Sequence, residues 1–224
     1  MSSGVLQGRI WMSDRYFDEK GDIMKKYTIP NIYQKMNERG YTNAQSDLYL
    51  WLNEMEWMTI DIIKEYEYDE GETKNIVTFA ITGAGDKWVW LVENSEEEYA
   101  VGLCERAETT GIYYAKNTED AILRQIIEYA ASSNFYIIED DAEDYQINED
   151  ELKKQLEEWQ KKFSGIINDE YINIIKKLSE LSLKQIKCQY GEWYALLTLE
   201  EQDELIDKYI KFDLIDEEFE IYND

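Results

Sequence analysis

Chemistry at neutral pH most often begins with histidine, and this 224-residue chain has none. That removes Ser-His-Asp and Cys-His arrangements, an imidazole general base and every His metal ligand. Its two cysteines, Cys104 and Cys188, are far apart and lack a C-x-x-C partner. They signal neither a zinc site nor a disulfide framework and read as small buried hydrophobes in a reducing compartment. Paired carboxylates could hydrolyse a glycoside if two acids faced each other about 5–10 Å apart across a cleft. With 49 Asp and Glu in the chain some pair always meets that distance, and no spacing selects one. Gly83-Ala84-Gly85-Asp86 follows a strand-like run and could be weighed as a phosphate loop. It has no GxxxxGK[ST] lysine and leads into another strand, so no helix dipole faces a phosphate there. Gly83, Gly85 and Asp86 are therefore expected to build a hairpin turn, with Asp86 bonding nearby backbone N–H groups. The acidic run Glu139-Asp140-Asp141-Ala142-Glu143-Asp144 lacks the EF-hand pattern and reads as solvated linker. No metal and no cofactor are expected.

Charge is the stronger signal. Lys and Arg number 23 against 49 acids, a formal net charge of −26. Such a chain does not grip nucleic acid, whose phosphates are held by clustered Lys and Arg. Composition also argues against disorder, because 44% of the residues are hydrophobic, 14% are aromatic and only one is Pro. Seven Trp and eighteen Tyr are interleaved with the acids, among them Trp51, Trp57, Trp88, Trp90, Tyr66, Tyr68, Tyr99, Tyr113 and Tyr114. Half or more of these rings must be ordinary core, but Trp and Tyr are also the residues of interface hot spots, and acidic surroundings select a basic partner. The candidate partner-binding residues are Asp69, Glu70 and Glu72 in one turn, Glu96, Glu97 and Glu98 in another, and Trp88 and Trp90 on the strand between them. Both acidic turns are expected to be exposed and to share one negative field near a sheet edge.

The elements that must position these residues follow from hydrophobic period. Ile29 to Gly40 reads as a short helix with Pro30 in its first turn and Gly40 past its end. Leu48 to Trp51 resembles a strand, and Met55 to Tyr66 fits either helix or strand. From Ile76 the period is two: Ile76–Ile81, Trp88–Val92, Tyr99–Leu103 and Gly111–Ala115 form an antiparallel meander. At Thr118 the period becomes 3.6, and a helix runs to about Ala131 with the Thr118 hydroxyl as its expected cap. Leu152, Leu156, Trp159, Phe163 and Ile166 then mark an amphipathic helix, with Asn148 and Glu151 placed to cap it. Another helix is expected from Asp169 to about Leu181, and Thr198 with Glu201 is a capping box for a last one through Ile210. The expected fold class is α+β: an antiparallel-dominated sheet covered by helices over residues 1–133, an acidic linker over 134–147, and an all-helical C-terminal extension over 148–224. No apolar run approaches the roughly 18 residues of a membrane span, and the first nine residues lack a secretory apolar region, so no membrane partner and a cytoplasmic location are expected.

Around the hairpin the chain resembles the SUKH superfamily. The residues that carry the likeness are Thr78-Phe79-Ala80-Ile81, then Gly85-Asp86, then Trp88-Val89-Trp90, preceded by Ile29-Pro30-Asn31-Ile32-Tyr33 and followed by Tyr114-Ala115 and the helix from Thr118. Ile29 stands where the family usually has Leu, and Asn37-Glu38-Arg39-Gly40 matches the family's Asn-Gly end only loosely. The likeness spans about residues 25 to 133. It implies helices packed on a mixed sheet, no catalysis, and in bacterial members an immunity protein that neutralises a toxin domain, often a nuclease, of a polymorphic toxin system. The −26 charge is independently what an inhibitor of a basic nuclease requires, since opposite fields steer association. A non-enzymatic antitoxin that binds a basic protein toxin is thus the leading expectation. An acidic regulatory module or nucleic-acid mimic is the alternative, and an acid/base hydrolase ranks last.

Overall fold

A computed structural model describes residues 16–17, 23–24, 27–92, 98–132, 149–188 and 191–222. Two short strands, β1 (Tyr16–Phe17) and β2 (Ile23–Met24), pair with each other. Helix α1 (Asn31–Glu38) follows Pro30, which occupies the position before the first helical residue. Gly40, at φ +76°, lets the chain leave the helix in the left-handed region that an L side chain resists. The expected strand over Leu48–Trp51 does not form. Its residues act singly, Leu50 and Leu52 plugging the core while Leu48 and Trp51 face out, and the Leu50 N–H donates to the Tyr41 carbonyl instead of to a ladder. The ambiguous segment after it divides into a two-residue strand, β3 (Glu56–Trp57), and a short helix, α2 (Ile60–Lys64), which Thr59 caps by accepting from the Ile62 N–H.

Strands β4 (Ile76–Ile81), β5 (Lys87–Leu91), β6 (Ala100–Cys104) and β7 (Thr110–Ala115) continue the meander, and α3 (Thr118–Ala131) follows directly. Side chains alternate between sheet faces along β5. Trp88 and Trp90 face α1 and α3, while Lys87, Val89 and Leu91 face the other way. Phe79 is an extra residue between the pairs Thr78–Val89 and Ala80–Trp88, so the bulge sends it to the helix-covered face beside Trp90. Helix α3 begins at the expected residue with a different cap. Asn117 accepts from the Asp120 N–H, and the Thr118 hydroxyl, buried under the sheet, accepts from the Trp90 indole at 3.0 Å.

The C-terminal part holds α4 (Glu149–Phe163), α5 (Asp169–Ser179), the hairpin β8 (Lys184–Cys188) with β9 (Gly191–Ala195), α6 (Leu199–Tyr209) and β10 (Glu218–Glu220). An all-helical extension is therefore corrected: the segment supplies its own hairpin and returns a strand to the main sheet. The capping box at Thr198 and Glu201 is present with both hydrogen bonds. Residues 134–147 and Asn148 lie outside the described residues. The side chains on either side of them share one core, in which Tyr33, Trp90 and Ile126 belong to the same buried cluster as Leu156, Trp159, Ile175 and Ile206. The fold is thus mixed α+β, built on a six-stranded antiparallel sheet in the order β10-β7-β6-β5-β4-β3.

Glycine explains how β10 reaches the sheet. The Phe219 ring lies over Gly102 and Gly111, where an added Cβ would come within 2.5 and 2.4 Å of ring carbons. Only bare backbone leaves the ring that slot. Gly111→Ala is expected to destabilise the chain by about 1–3 kcal/mol through overpacking. In a double-mutant cycle by urea unfolding, Phe219→Ala should absorb most of that loss, because the two groups compete for one volume.

Candidate functional site

Gly83 to Asp86 is a hairpin turn whose chemistry is structural. The Gly85 N–H donates to the Thr82 carbonyl, with Gly85 at φ +92°. The Asp86 carboxylate accepts from the Thr82 hydroxyl at 2.8 Å and from the Arg106 N–H at 2.9 Å. It ties the β4–β5 turn to the chain leaving β6, so one of its donors is distant in sequence.

The described candidate acids, Asp69, Glu70, Glu72 and Glu98, do not make one face. Lys87 bonds Asp69 at 2.8 Å and Glu72 at 3.2 Å, and Glu72 is only 4% exposed. Glu72 is therefore corrected from docking acid to buried counter-charge; it also accepts from the Asp69 N–H at 2.9 Å. Although partial burial opposes its charge, the hydrogen bonds of Lys87 to Asp69 and Tyr66 and the nearness of Glu72 hold the ammonium above the ordinary lysine range. Glu70 is exposed, and so is Glu98; Glu96 and Glu97 lie outside the described residues. Lys87 sits on the sheet face opposite Trp88 and Trp90, whereas Glu98 borders the starts of the helices that cover those indoles. The turn of Asp69 to Glu72 and the side chain of Glu98 thus serve different faces.

Trp88 and Trp90 are 1% and 0% exposed and cannot anchor a partner from the surface. The strand that carries them lies inside the sheet, and both indole N–H groups are already used, Trp88 donating to the Glu54 carbonyl and Trp90 to Thr118. The described tryptophan that does face out is Trp51, 43% exposed, with Leu48 at 57% three residues before it. Trp51 stacks on Trp159 of α4 at 5.8 Å and 25°, meets Tyr129 of α3 edge-on, and its carbonyl accepts from the Trp159 indole at 2.7 Å. The ring is thereby held rigidly while one side stays open. Asp47, Glu54 and Glu56, on the same loop and the strand that ends it, are exposed. In the sequence Trp51 sits in an apolar run that reads as strand, and nothing local marks it as the outward ring.

A cleft of about 400 Å³ opens where α1 and α3 begin. Ile29, Pro30, Tyr99 and Thr118 form its floor, and Glu98 and Glu119 border it. The Tyr99 hydroxyl accepts from the Thr28 N–H at 2.9 Å, and the Glu119 carboxylate accepts from the Asn168 N–H at the start of α5. Desolvation pushes the Asp120 carboxyl, in the same first turn, up to about 6; neighbouring Glu119 and Glu98 act with it, while the Tyr171 hydroxyl and Lys116 oppose it. These surroundings suit a cationic group better than an anion. Burial pushes the Cys104 thiol up to about 12, so at neutral pH it is a packing group.

Among the described residues no group of three or more His, Cys, Asp or Glu is arranged to hold a metal ion, and no helix is long and apolar enough to cross a membrane. Comparison with family models, curated proteins and solved structures returns no match to this chain.

Burial separates the tryptophans by experiment. Trp88→Ala and Trp90→Ala are each expected to lower stability by about 3–5 kcal/mol in chemical unfolding, and Trp51→Ala by about 1 kcal/mol. Lys87→Met should cost about 3 kcal/mol by leaving Glu72 buried without a counter-charge. Adding Glu72→Gln to that variant should recover part of the loss in the same unfolding assay.

Proposed function

We propose that the chain is a non-enzymatic, SUKH-type immunity protein that acts in the cytosol of the producing cell by binding a basic toxin domain, a nuclease being the class its charge suits best. The observation that carries this reading is Trp51: a half-exposed indole fixed by Trp159 and Tyr129, on a loop that also exposes Leu48 and the carboxylates of Asp47, Glu54 and Glu56, in a chain of net charge −26. Rigid aromatic anchors supply close-range affinity, and a strong field of one sign supplies encounter rate. The SUKH-like pattern over residues 25–133 supports the same function.

The test is to look for a toxin domain encoded beside this gene and to measure binding to it; a gene with no such neighbour counts against the proposal. Association should slow steeply as salt rises, while dissociation changes little. Asp47→Lys with Glu54→Lys should slow association at low salt, whereas Trp51→Ala should raise the dissociation rate about thirtyfold, equivalent to about 2 kcal/mol. Surface plasmon resonance well below the thermal midpoint of each variant, where all are fully folded, reads both effects. A folded Trp51→Ala protein that releases the toxin at the wild-type rate removes Trp51 from the interface.

A further inference from the structure

The Tyr171 hydroxyl has one proton and two acceptors within reach. It lies 2.8 Å from an Asp120 carboxyl oxygen and 3.1 Å from the Tyr209 carbonyl. Tyr209 is the last residue of α6, so its carbonyl has no intrahelical donor and requires one from elsewhere. Asp120 belongs to the first turn of α3 and is only 8% exposed, and Tyr171 stands in the first turn of α5. If the hydroxyl donates to Tyr209, an ionised Asp120 is left facing a lone pair; if it donates to Asp120, the end of α6 loses its donor. Both contacts are good at once when Asp120 carries the second proton and donates it to the Tyr171 oxygen, with that hydroxyl donating onward to Tyr209.

We propose that Asp120, Tyr171 and the Tyr209 carbonyl form a proton-linked latch, in which a proton bound at Asp120 seats α5 and α6 on α3 and its release loosens them. The groups around the carboxyl are Glu119 on its own helix, Lys116 just before it, Glu98 from the turn entering β6 and Tyr171 from α5; Glu170 acts on Tyr171, and Lys208 sits beside Tyr209 on α6. The positive end of α3 favours the ionised form. Burial with Glu119 and Glu98 acts against it, and the net direction is upward, from the ordinary 3.8 to about 6. A carboxyl raised in the folded state binds its proton more tightly there than in the unfolded chain. Its contribution to stability is therefore fully present below about 4 and is lost as pH rises through about 6. The latch is independent of any partner.

Asp120→Asn supplies a permanent N–H donor of nearly the same shape. Thermal midpoints of full-length wild type and Asp120→Asn should nearly coincide at pH 5. The variant should then gain on wild type as pH rises to 7.5, by about 3 °C or more. Curves that stay parallel, or a variant that loses ground as pH rises, overturn the latch. Amide exchange on the wild-type chain gives a second reading that needs no variant. After correction for intrinsic rates, residues 169–179 and 199–209 should be at least threefold better protected at pH 5.5 than at pH 7.5, with β4 and β5 changing no more than these helices do. Equal protection of the two helices at both pH values overturns the proposal as well.

Discussion

The arrangement depends on one buried phenol. Tyr33, 0% exposed, is edge-on to Trp57, Phe79 and Trp90 at 5.9, 5.8 and 5.0 Å, and Phe79 stacks on Trp90 at 4.6 Å. Such ring pairs contribute roughly 0.5–1.5 kcal/mol each beyond their buried area. The hydroxyl matters as much as the ring. It approaches the Met58 carbonyl at 2.5 Å and the Phe79 carbonyl at 2.8 Å, the latter at the residue where the bulge disturbs the ladder between β4 and β5. The Phe79 carbonyl already accepts from the Met58 N–H at 3.0 Å, so the one proton of the phenol is free for the Met58 carbonyl, which is closer to it. Burial holds that phenol well above its ordinary titration range, so it remains a donor at any physiological pH. α1 is thereby fixed on the sheet, and its first turn becomes one wall of the cleft beside Glu98.

Much of this was legible beforehand, and the residues show why. Helix α3 spans Thr118–Ala131 because its 3.6 period is unbroken, and the Thr198–Glu201 box marks α6 because both partners are local. Local signals also located the hairpin turn at Gly83 to Asp86. The misreadings have a common cause, which is that the deciding partner is distant. Leu48–Trp51 has strand composition and no strand to pair with. Glu218-Phe219-Glu220 falls in the segment expected to be all-helical, yet it becomes a strand because Gly102 and Gly111, more than a hundred residues earlier, leave room for one ring. Thr118 and Asn117 were both chemically able to cap α3, and the Trp90 indole decides between them by occupying Thr118.

Asp69 to Glu72 forms the turn its sequence predicts, and it shares no surface with Glu98. A run such as Asp69-Glu70-Gly71-Glu72 reveals its charge but not that Lys87 lies underneath, since Lys87 reaches it across the sheet face from β5. Likewise Trp88 and Trp90 are aromatic enough for an interface, and only the helices α1 and α3, laid over that face of the sheet, consign them to the core. Exposure is a property of topology, whereas residue type only sets what exposure would be used for.

Trp51 and the latch meet on the same helices. The indole that holds Trp51 belongs to α4, α4 packs along α5, and α5 carries Tyr171. The covering layer is therefore seated at two points of different character. At Trp159 the seat is apolar stacking with one indole hydrogen bond and is indifferent to pH. At Asp120 it is a shared proton in a place where burial and neighbouring carboxylates penalise charge. In a chain of net charge −26, self-repulsion grows as carboxylates ionise, and the seat that depends on a neutral carboxyl weakens in the same direction. Trp88, Trp90, Phe79 and Tyr33 lie beneath both points in a core whose rings need no proton exchange. A loosening that begins at Asp120 therefore acts on the helices that frame the exposed indole before it reaches the sheet.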